Sequence, residues 1–206
     1  TLSEVEAKAT LVGHGLDVPR ARRADSSSGA VAAALALGFP VVVKGEGAAH
    51  KTEAGLVALG LAGPQAVEAA AATMQATDFL VEEMVTEGVA ELIVGVLRDP
   101  AHGFVLTLGA GGTFTELLQD SVSMLLPVRA GEIDAAFDRL RIAPRLAGYR
   151  SAPPADRTAI VQAVMAVQAY VIAQAAQIVE VEVNPLICTP TRAVAADALI
   201  RLGETT

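Results

Sequence analysis

Three polar residues near the C-terminal end of the chain have the spacing of a cation site on a β-hairpin. In the segment EVEVN (180–184), polar residues alternate with valines. Strand geometry therefore places Glu180, Glu182 and Asn184 on one face. The segment TPTR (189–192) follows, and its proline at the second position is typical of a tight turn.

The position of this turn predicts which residues face each other. If the turn is centred between residues 190 and 191, Asn184 lies opposite Asp197, and their Cβ atoms are about 5 Å apart. Two oxygen ligands at that distance could bind one hard cation, and Mg²⁺ prefers one or two protein oxygens plus substrate phosphates. The alternative is a hairpin whose polar face meets water, because a single β-bulge would destroy the register.

A second candidate site follows a run of valines. The segment VVVKGEGAAHKT (41–52) carries Lys44 at its strand-like end and Lys51 in a loop of small residues. Glycines let backbone amides approach an anion, and ammonium groups neutralise it, so the pattern fits phosphate binding. The P-loop pattern GxxxxGK[ST] nearly matches, but His50 replaces its last glycine and a strand-like segment follows. The P-loop interpretation therefore fails, and an ordinary hairpin with solvated lysines is the alternative.

Other polar residues are weaker candidates. His50 could accept a phosphoryl group on a ring nitrogen. Glu82, Glu83 and Glu91 bracket a loop between two predicted strands and could accept hydrogen bonds from ribose hydroxyls, although solvated hairpin charges are commoner. The GAGG segment (109–112) is either an anion-binding nest or a turn.

A basic cluster lies in the second half of this acidic chain. It is either a solvated helix face or a contact for a phosphorylated partner or the phosphates of coenzyme A. Its members are Arg139, Arg141, Arg145 and Arg150.

Helices and strands must position these groups. The capping-box spacing of Ser3 and Glu6 predicts a first helix from about Glu4 to His14. Ser28 is the predicted N-cap of a second helix that ends before Gly38. Strands are predicted at 41–44, 56–61, 79–84, 91–97 and 104–108, a third helix runs from 64 to about 74, and an amphipathic helix covers 132–141. Helices alternate with strands early and strands cluster later, which favours an α+β or α/β fold in two lobes with a seam near residues 82–90.

Composition excludes several classes of protein. The 206 residues include 15 Lys and Arg against 23 Asp and Glu, which gives a net charge of −8 and argues against a general nucleic-acid or anionic-membrane binder. The single cysteine, Cys188, excludes an internal disulfide and fits a cytoplasmic chain. The uncharged stretch 158–179 is long enough to cross a bilayer, but its four glutamines favour a helix packed on a sheet.

Taken together, these segments resemble the ATP-grasp domain of ADP-forming (NDP-forming) acyl-CoA synthetases, and more distantly the succinyl-CoA synthetase β-subunit. The resemblance covers almost the whole chain and includes "GFPVVVKGEGAAHKTEAG", "AELIVGVLRDP", "LGAGGTFTELLQD" and "VEVNPL". It implies an ATP-grasp fold with ATP between an N-terminal lobe (1–84) and a C-terminal lobe (85–206).

The resemblance also implies roles for individual residues. Lys44 would hold the nucleotide phosphates, and the loop His50-Lys51-Thr52 would close over them, with His50 relaying phosphate. The strand Glu82-Glu83-Met84-Val85 would lie at the adenine, and Glu91 would reach the nucleotide. Asn184 and Asp197 would bind Mg²⁺ with support from Glu182. Gly111, Gly112 and Glu116 would lie near the docking site of a partner's phosphohistidine loop.

The implied protein is part of a ligase that uses ATP/ADP and Mg²⁺. Its partner would be a CoA-binding, acyl-handling domain or subunit with a phosphorylatable histidine, which these 206 residues do not contain. The alternative is a non-catalytic regulatory module of a protein acetyltransferase. The sequence departs from the family in a short loop between Lys44 and His50, in Leu56 where a glycine is usual, and in Met124 where arginine is usual. The short loop and the apolar residue favour a branch similar to feruloyl-CoA synthetases.

Overall fold

The computed structural model describes residues 1–46, 55–112 and 120–203. Contacts between Cα atoms divide the chain into two compact units. The small unit is Pro19–Thr86, and the large unit combines Thr1–Val18 with Glu87–Thr206. The first eighteen residues, which the division at residue 84 assigns to the N-terminal lobe, thus lie among residues from the second half of the chain.

The small unit is a four-stranded antiparallel sheet with two helices. Its strand order is β1-β4-β2-β3. Its core is built from the β-branched and aromatic residues of β2 and β4 and from small residues such as Ala30 and Ala34 of α2, all buried. The elements are β1 (Ala21–Ala24), α2 (Ser27–Leu37), β2 (Val41–Gly45), β3 (Val57–Leu61), α3 (Pro64–Thr73) and β4 (Phe79–Glu83).

Helix α2 begins earlier than predicted. The Ser26 hydroxyl accepts the Gly29 N–H at 3.1 Å, so Ser26 is the N-cap and the prediction of Ser28 is wrong. Three consecutive serines can all cap, and the one whose oxygen reaches a free amide decides the start. The predicted stop is confirmed, because Gly38 has a φ of 88° and its N–H donates to the Ala34 carbonyl at 3.0 Å.

The large unit is a six-stranded sheet with helices packed on its apolar face. Its strand order is β10-β8-β5-β6-β7, and β9 also pairs with β8. The buried residues of these strands, such as Val94, Leu106 and Val181, form one core with Phe137, Val164 and other helix residues. The elements are α1 (Glu4–Val12), β5 (Ala90–Asp99), β6 (Gly103–Ala110), β7 (Ser121–Leu125), α4 (Ala130–Phe137), α5 (Ala143–Leu146), α6 (Arg157–Ala173), β8 (Ile178–Cys188), β9 (Ala193–Ala195) and β10 (Ala198–Leu202).

Two helices of the large unit have the N-terminal caps that their sequences suggest. Ser3 and Glu6 form the predicted capping box of α1, which ends two residues before the predicted His14, at Val12. The Asp156 carboxylate caps α6 by accepting the Ala159 N–H at 3.0 Å. The uncharged stretch ends as a helix at Ala173, and within the described ranges no helix has both the length and the apolar character needed to cross a membrane.

Candidate functional site

The C-terminal hairpin has the register that its turn predicted. Val183 pairs with Ala198, and Leu186 pairs with Ala195. Between these pairs the Asn184 N–H donates to the Asp197 carbonyl at 3.3 Å. Asn184 and Asp197 are therefore neighbours across two strands, as the sequence analysis expected.

The other edge of β8 contains a β-bulge that the sequence did not reveal. Leu92 of β5 lies opposite Leu186, and Val94 lies opposite Val183, so β8 has one extra residue between these pairs, at 184–185. A bulge changes the direction of the local side chains and is common beside functional sites. Here the bulge includes Asn184, the predicted metal ligand of this strand.

Three acidic groups near this bulge lie close enough to affect one another. Burial raises the pKa of the Glu182 carboxyl, the charges of Glu180 and Asp197 raise it further, and a hydrogen bond from Asn184 lowers it. Glu180 pairs with Arg201, with 2.9 Å between Oε2 and Nε. A cation beside Glu182 would relieve both the desolvation and the repulsion.

The donor atoms suit a hard cation that brings its own further ligands. In the ranges that the structure covers, no three His, Cys, Asp or Glu residues are grouped closely enough to hold a metal ion by themselves. Asn184 offers an amide oxygen, and Asp197 and Glu182 offer carboxylates. Mg²⁺ commonly binds one or two such oxygens and completes its shell with water and phosphate.

Gly112 connects the bulge with Glu91. Its N–H donates to Oδ1 of Asn184 at 3.2 Å. It has a φ of 78°, and a Cβ at this position would overlap the Glu91 carboxylate. The positive φ favours glycine here, a side chain would force the Glu91 carboxylate to move, and Glu91, Gly112 and Asn184 form one contiguous group.

Glu91 also lines a cavity of about 740 Å³ in the large unit. Its described walls include Glu91, Gly111, Asp120, Arg141, Arg145 and Tyr149. This volume is within the usual range for a small-molecule site, about 300–1,000 Å³.

Asp120, which the sequence analysis missed, organises one wall of this cavity. Its buried carboxylate accepts the N–H groups of Arg141 at 2.7 Å and Ile142 at 2.9 Å. The Arg145 guanidinium donates through Nε to the Val89 carbonyl at 3.2 Å. A lone Asp after a glycine-rich segment gave no signal of this role, because its partners lie twenty residues further along the chain.

The basic cluster does not form a helix face, so that interpretation is wrong. Helix α4 ends at Phe137, before all four arginines, and of the four only Arg145 lies in the four-residue helix α5. Arg150 stacks over the Tyr149 ring at 5.2 Å. A role for these arginines toward a phosphorylated partner or coenzyme A stays a prediction.

The small unit brings together two of the predicted nucleotide residues. The Lys44 Nζ lies 3.0 Å from Oε2 of Glu82, and both side chains are less than a tenth exposed. Val42 is directly opposite Glu82 and Leu80 is opposite Lys44, so the two charged residues are diagonal neighbours on one face of adjacent strands. The pair is a buried ion pair.

The segment predicted at the adenine is only partly strand. β4 ends at Glu83, whose carboxylate pairs with Arg20 at 2.5 Å. Met84 and Val85 follow in the loop, half-buried, and the Met84 N–H donates to the Pro40 carbonyl at 3.1 Å.

The remaining predicted residues, His50, Lys51, Thr52 and Glu116, lie outside the described residues. Where the described residues resume at residue 55, the next element is strand β3 and not a helix, as the rejection of a P-loop requires.

Comparison with known proteins agrees with this architecture. A model of the ATP-grasp domain family matches residues 1–202. The chain is 35% identical over 200 residues to trans-feruloyl-CoA synthase FCS1 from an unknown prokaryotic organism, covering 91% of this chain and 28% of that protein. It is 31% identical over 196 residues to the acetate–CoA ligase [ADP-forming] II subunit beta of Pyrococcus furiosus, covering 89% of this chain and 83% of that subunit.

Solved structures of one archaeal enzyme are also similar. The dinucleotide forming acetyl-coenzyme A synthetase 1 of Ca. Korarchaeum cryptofilum, in complex with coenzyme A and Ca-AMPCP, has a TM-score of 0.88 and 30% identity over 98% of this chain and 93% of that chain. Another of its structures contains coenzyme A and Mg-AMPPCP, with the phosphohistidine segment pointing towards the nucleotide binding site. Its TM-score is 0.81, with 28% identity and the same coverage.

These findings confirm the fold that the resemblance implied. The chain spans only 28% of the feruloyl-CoA synthase but most of the separate β subunit, so it corresponds to one part of the longer ligases. The chain belongs to the ATP-grasp domain family and matches the ATP-grasp part of ADP-forming acyl-CoA ligases.

Proposed function

We propose that this chain is the nucleotide- and Mg²⁺-binding part of an ADP-forming acyl-CoA synthetase. It would transfer a phosphoryl group between ATP/ADP and a phosphohistidine during reversible acyl-CoA formation. The observation that carries the proposal is the contiguous group Glu91, Gly112, Asn184 and Asp197 in a member of the ATP-grasp family. Similarity to ADP-forming acyl-CoA ligases supports the catalytic function over the regulatory alternative.

The metal would be held by the hairpin. Asn184 would contribute its amide oxygen, because one lone pair of Oδ1 accepts the Gly112 N–H and an amide oxygen has two. Asp197 and Glu182 would contribute carboxylates, and the raised pKa of Glu182 supports a cation there, since a positive charge would stabilise its ionised form. When bound, Mg²⁺ would neutralise part of the negative charge of the phosphates.

Several polar side chains of this chain would hold the nucleotide. Glu91 is exposed at the edge of its cavity and can accept hydrogen bonds from ribose hydroxyls. In the small unit, Glu82 fixes the direction of the Lys44 ammonium, which has three N–H donors and would contact phosphate. The segment 82–85 would line the adenine, and the His50-Lys51-Thr52 loop would cover the phosphates.

The chemistry is a phosphoryl transfer with little covalent work for the protein. In the direction of ATP formation, the P–N bond of the partner's phosphohistidine breaks as a P–N bond to a ring nitrogen of His50 forms, which frees the partner's histidine. The P–N bond to His50 would then break as a P–O bond to the terminal oxygen of ADP forms. The partner would be a CoA-binding, acyl-handling domain or subunit. The phosphohistidine segment that points to the nucleotide site in the archaeal enzyme supports this assignment.

Calorimetric titration with ATP and ADP tests the proposal. We expect binding with Mg²⁺ present and its loss with EDTA. Asp197→Ala should weaken Mg²⁺-dependent binding by about a hundredfold, or about 2.7 kcal/mol, since a charged ligand is removed. The matched control is Asp134→Ala, which removes an exposed carboxylate that pairs with Arg157 and should bind as wild type does.

Two results would contradict parts of this function. Absence of nucleotide binding at millimolar concentration in wild type would contradict the function itself. Unchanged binding by Asp197→Ala would contradict only the metal assignment. For the relay role of His50, His50→Ala should bind nucleotide normally but fail to exchange phosphoryl in the complete enzyme.

A further inference from the structure

Gly95 lies in the middle of the large sheet, beside the acidic hairpin. It is on strand β5, directly opposite Glu182 of β8 on one side and Thr107 of β6 on the other. Alternation along β5 places Gly95 on the same face as Glu91, whereas Leu92, Val94 and Val96 on the other face are buried in the core. Gly95 is half-buried on this face.

Neither backbone conformation nor packing explains a glycine at this position. Its φ is outside the left-handed region, and a Cβ would meet no heavy atom of the described residues within 4 Å. A glycine in a strand interior costs stability, because it loses more chain entropy than other residues and packs nothing. A residue with a side chain would fit the folded chain and stabilise it.

Two nearby glycines differ because packing explains them. A Cβ at Gly109 would be 2.6 Å from the Asp120 carbonyl oxygen, and a Cβ at Gly111 would be 2.6 Å from the Leu92 carbonyl oxygen. Both are crowded by backbone that cannot move away. Gly95 has open space instead. A strand glycine often marks a bulge, a tight bend or a close approach by a ligand or another backbone. Because Gly95 is paired in register on both sides and no backbone crowds it, the approach of a ligand is the explanation that we favour.

The order of residues along the face indicates which part of the ligand this is. Glu91 comes first, and the bulge with Asn184 and Asp197 lies beside residue 93. Gly95 follows at about 7 Å beyond residue 93, since a strand rises about 3.3 Å per residue. A nucleotide with its ribose at Glu91 and its diphosphate at Asn184 and Asp197 would direct its terminal phosphate toward Gly95, where Glu182 on the neighbouring strand could share the metal ion.

We propose that the transferring phosphoryl group lies against the backbone of Gly95, between Asn184 and Asp197 on one side and the partner's histidine on the other. This inference rests on the proposed function. It adds a residue that gives the transferring phosphoryl group access to the terminal end of the nucleotide. No side-chain atom of residue 95 takes part. Its role is to leave room for three phosphoryl oxygens close to the sheet.

Binding of ADP and of the β,γ-methylene analogue of ATP, each with Mg²⁺, tests this inference by calorimetry. For Gly95→Val we expect an unfolding temperature at or above that of wild type and an ADP affinity within about twofold of wild type. The analogue should bind at least about tenfold more weakly, which corresponds to about 1.4 kcal/mol. Gly95→Ala should lie between wild type and Gly95→Val. Gly131→Ala, at another glycine with open space but in α4, is the control and should change neither affinity.

Each other result overturns the inference in a recognisable way. If Gly95→Val weakens the binding of ADP and of the analogue equally, Gly95 lies under the diphosphate. If it weakens the binding of neither, no part of the nucleotide lies against Gly95. A clear fall in unfolding temperature for both Gly95 variants would contradict the open space. Failure of wild type to bind either nucleotide would contradict the proposed function as well, so the two failures are distinguishable.

Discussion

In the small unit a buried lysine and a buried glutamate neutralise each other, whereas in the large unit three acidic groups lie close enough to affect one another. Lys44 and Glu82 lie 3.0 Å apart, both almost free of solvent. Around the bulge of β8, Glu182 faces the charges of Glu180 and Asp197, and its pKa is raised by burial and by those charges. The first group is balanced within the fold. In the second, Arg201 pairs with Glu180, and the charges of Glu180 and Asp197 still raise the pKa of Glu182.

The difference indicates what each region requires from a ligand. An internally balanced pair can be preserved when a nucleotide binds, and in the proposed function Glu82 would position Lys44. The acidic group around Glu182 is stabilised most by a cation, which agrees with the metal assignment proposed above. Three substitutions separate these two kinds of charge arrangement.

Lys44→Met should have the largest effect. It leaves the buried Glu82 carboxylate without its lysine, and loss of one partner of a buried pair destabilises by about 3–5 kcal/mol. The double variant Lys44→Met/Glu82→Gln should recover most of this loss, because no buried charge remains. Urea denaturation measures both, and a double variant as unstable as the single one would contradict the pairing as the cause.

Gly112→Ala should have an intermediate effect on the large unit. A left-handed φ costs a residue with a Cβ about 1–2 kcal/mol, and the new methyl would displace Glu91 and the N–H bond to Asn184. We therefore expect lower thermal stability together with weaker binding of Mg²⁺ and nucleotide. Full affinity at reduced stability would show that Gly112 supports the fold but not the group around it.

Glu182→Gln should have the smallest effect, and it depends on pH. A raised pKa means that the folded state binds the proton more tightly than the unfolded state. The stability from this proton is fully present below the ordinary glutamate pKa of about 4.3 and is lost as pH rises through the folded value. Glutamine does not titrate and still accepts the Asn184 hydrogen bond, so the variant should gain stability over wild type as pH rises.

Denaturation at several pH values between about 4 and 7 measures this difference, which should nearly vanish at the acid end. Added Mg²⁺ should then stabilise wild type more than Glu182→Gln. A stability difference that is constant over this range would contradict the assignment of the raised pKa to Glu182.

Local signals in the sequence predicted much of this molecule. The alternation in EVEVN and the proline turn were enough to place Asn184 opposite Asp197, because a tight hairpin fixes its own register. The bulge on the other edge of β8 depends on β5, about ninety residues earlier, and no local pattern reveals it. Similarly, Lys44 and Glu82 were both candidates, but their pairing follows from β2 and β4 being neighbours in the sheet.

The helix starts show the same division between local and distant causes. Ser3 and Glu6 contain the whole capping box, so α1 was predicted at its N-terminal end. Its assignment to a unit depends on distant residues, since the Leu2 N–H donates to the Ile200 carbonyl at 3.0 Å. Ser26 and Ser28 were both able to cap α2, and only the geometry of the Gly29 amide distinguishes them.

The small unit is inserted between two parts of the large one, and this affects the order of folding during synthesis. Once residue 86 has left the ribosome, all residues of Pro19–Thr86 are available to one another. Helix α1, made earlier, has to wait for β10, and at roughly 5–20 residues per second that delay lasts on the order of ten seconds. Helix α1 is thus expected to be among the last elements of the large unit to dock, and until then its apolar residues are accessible to chaperones.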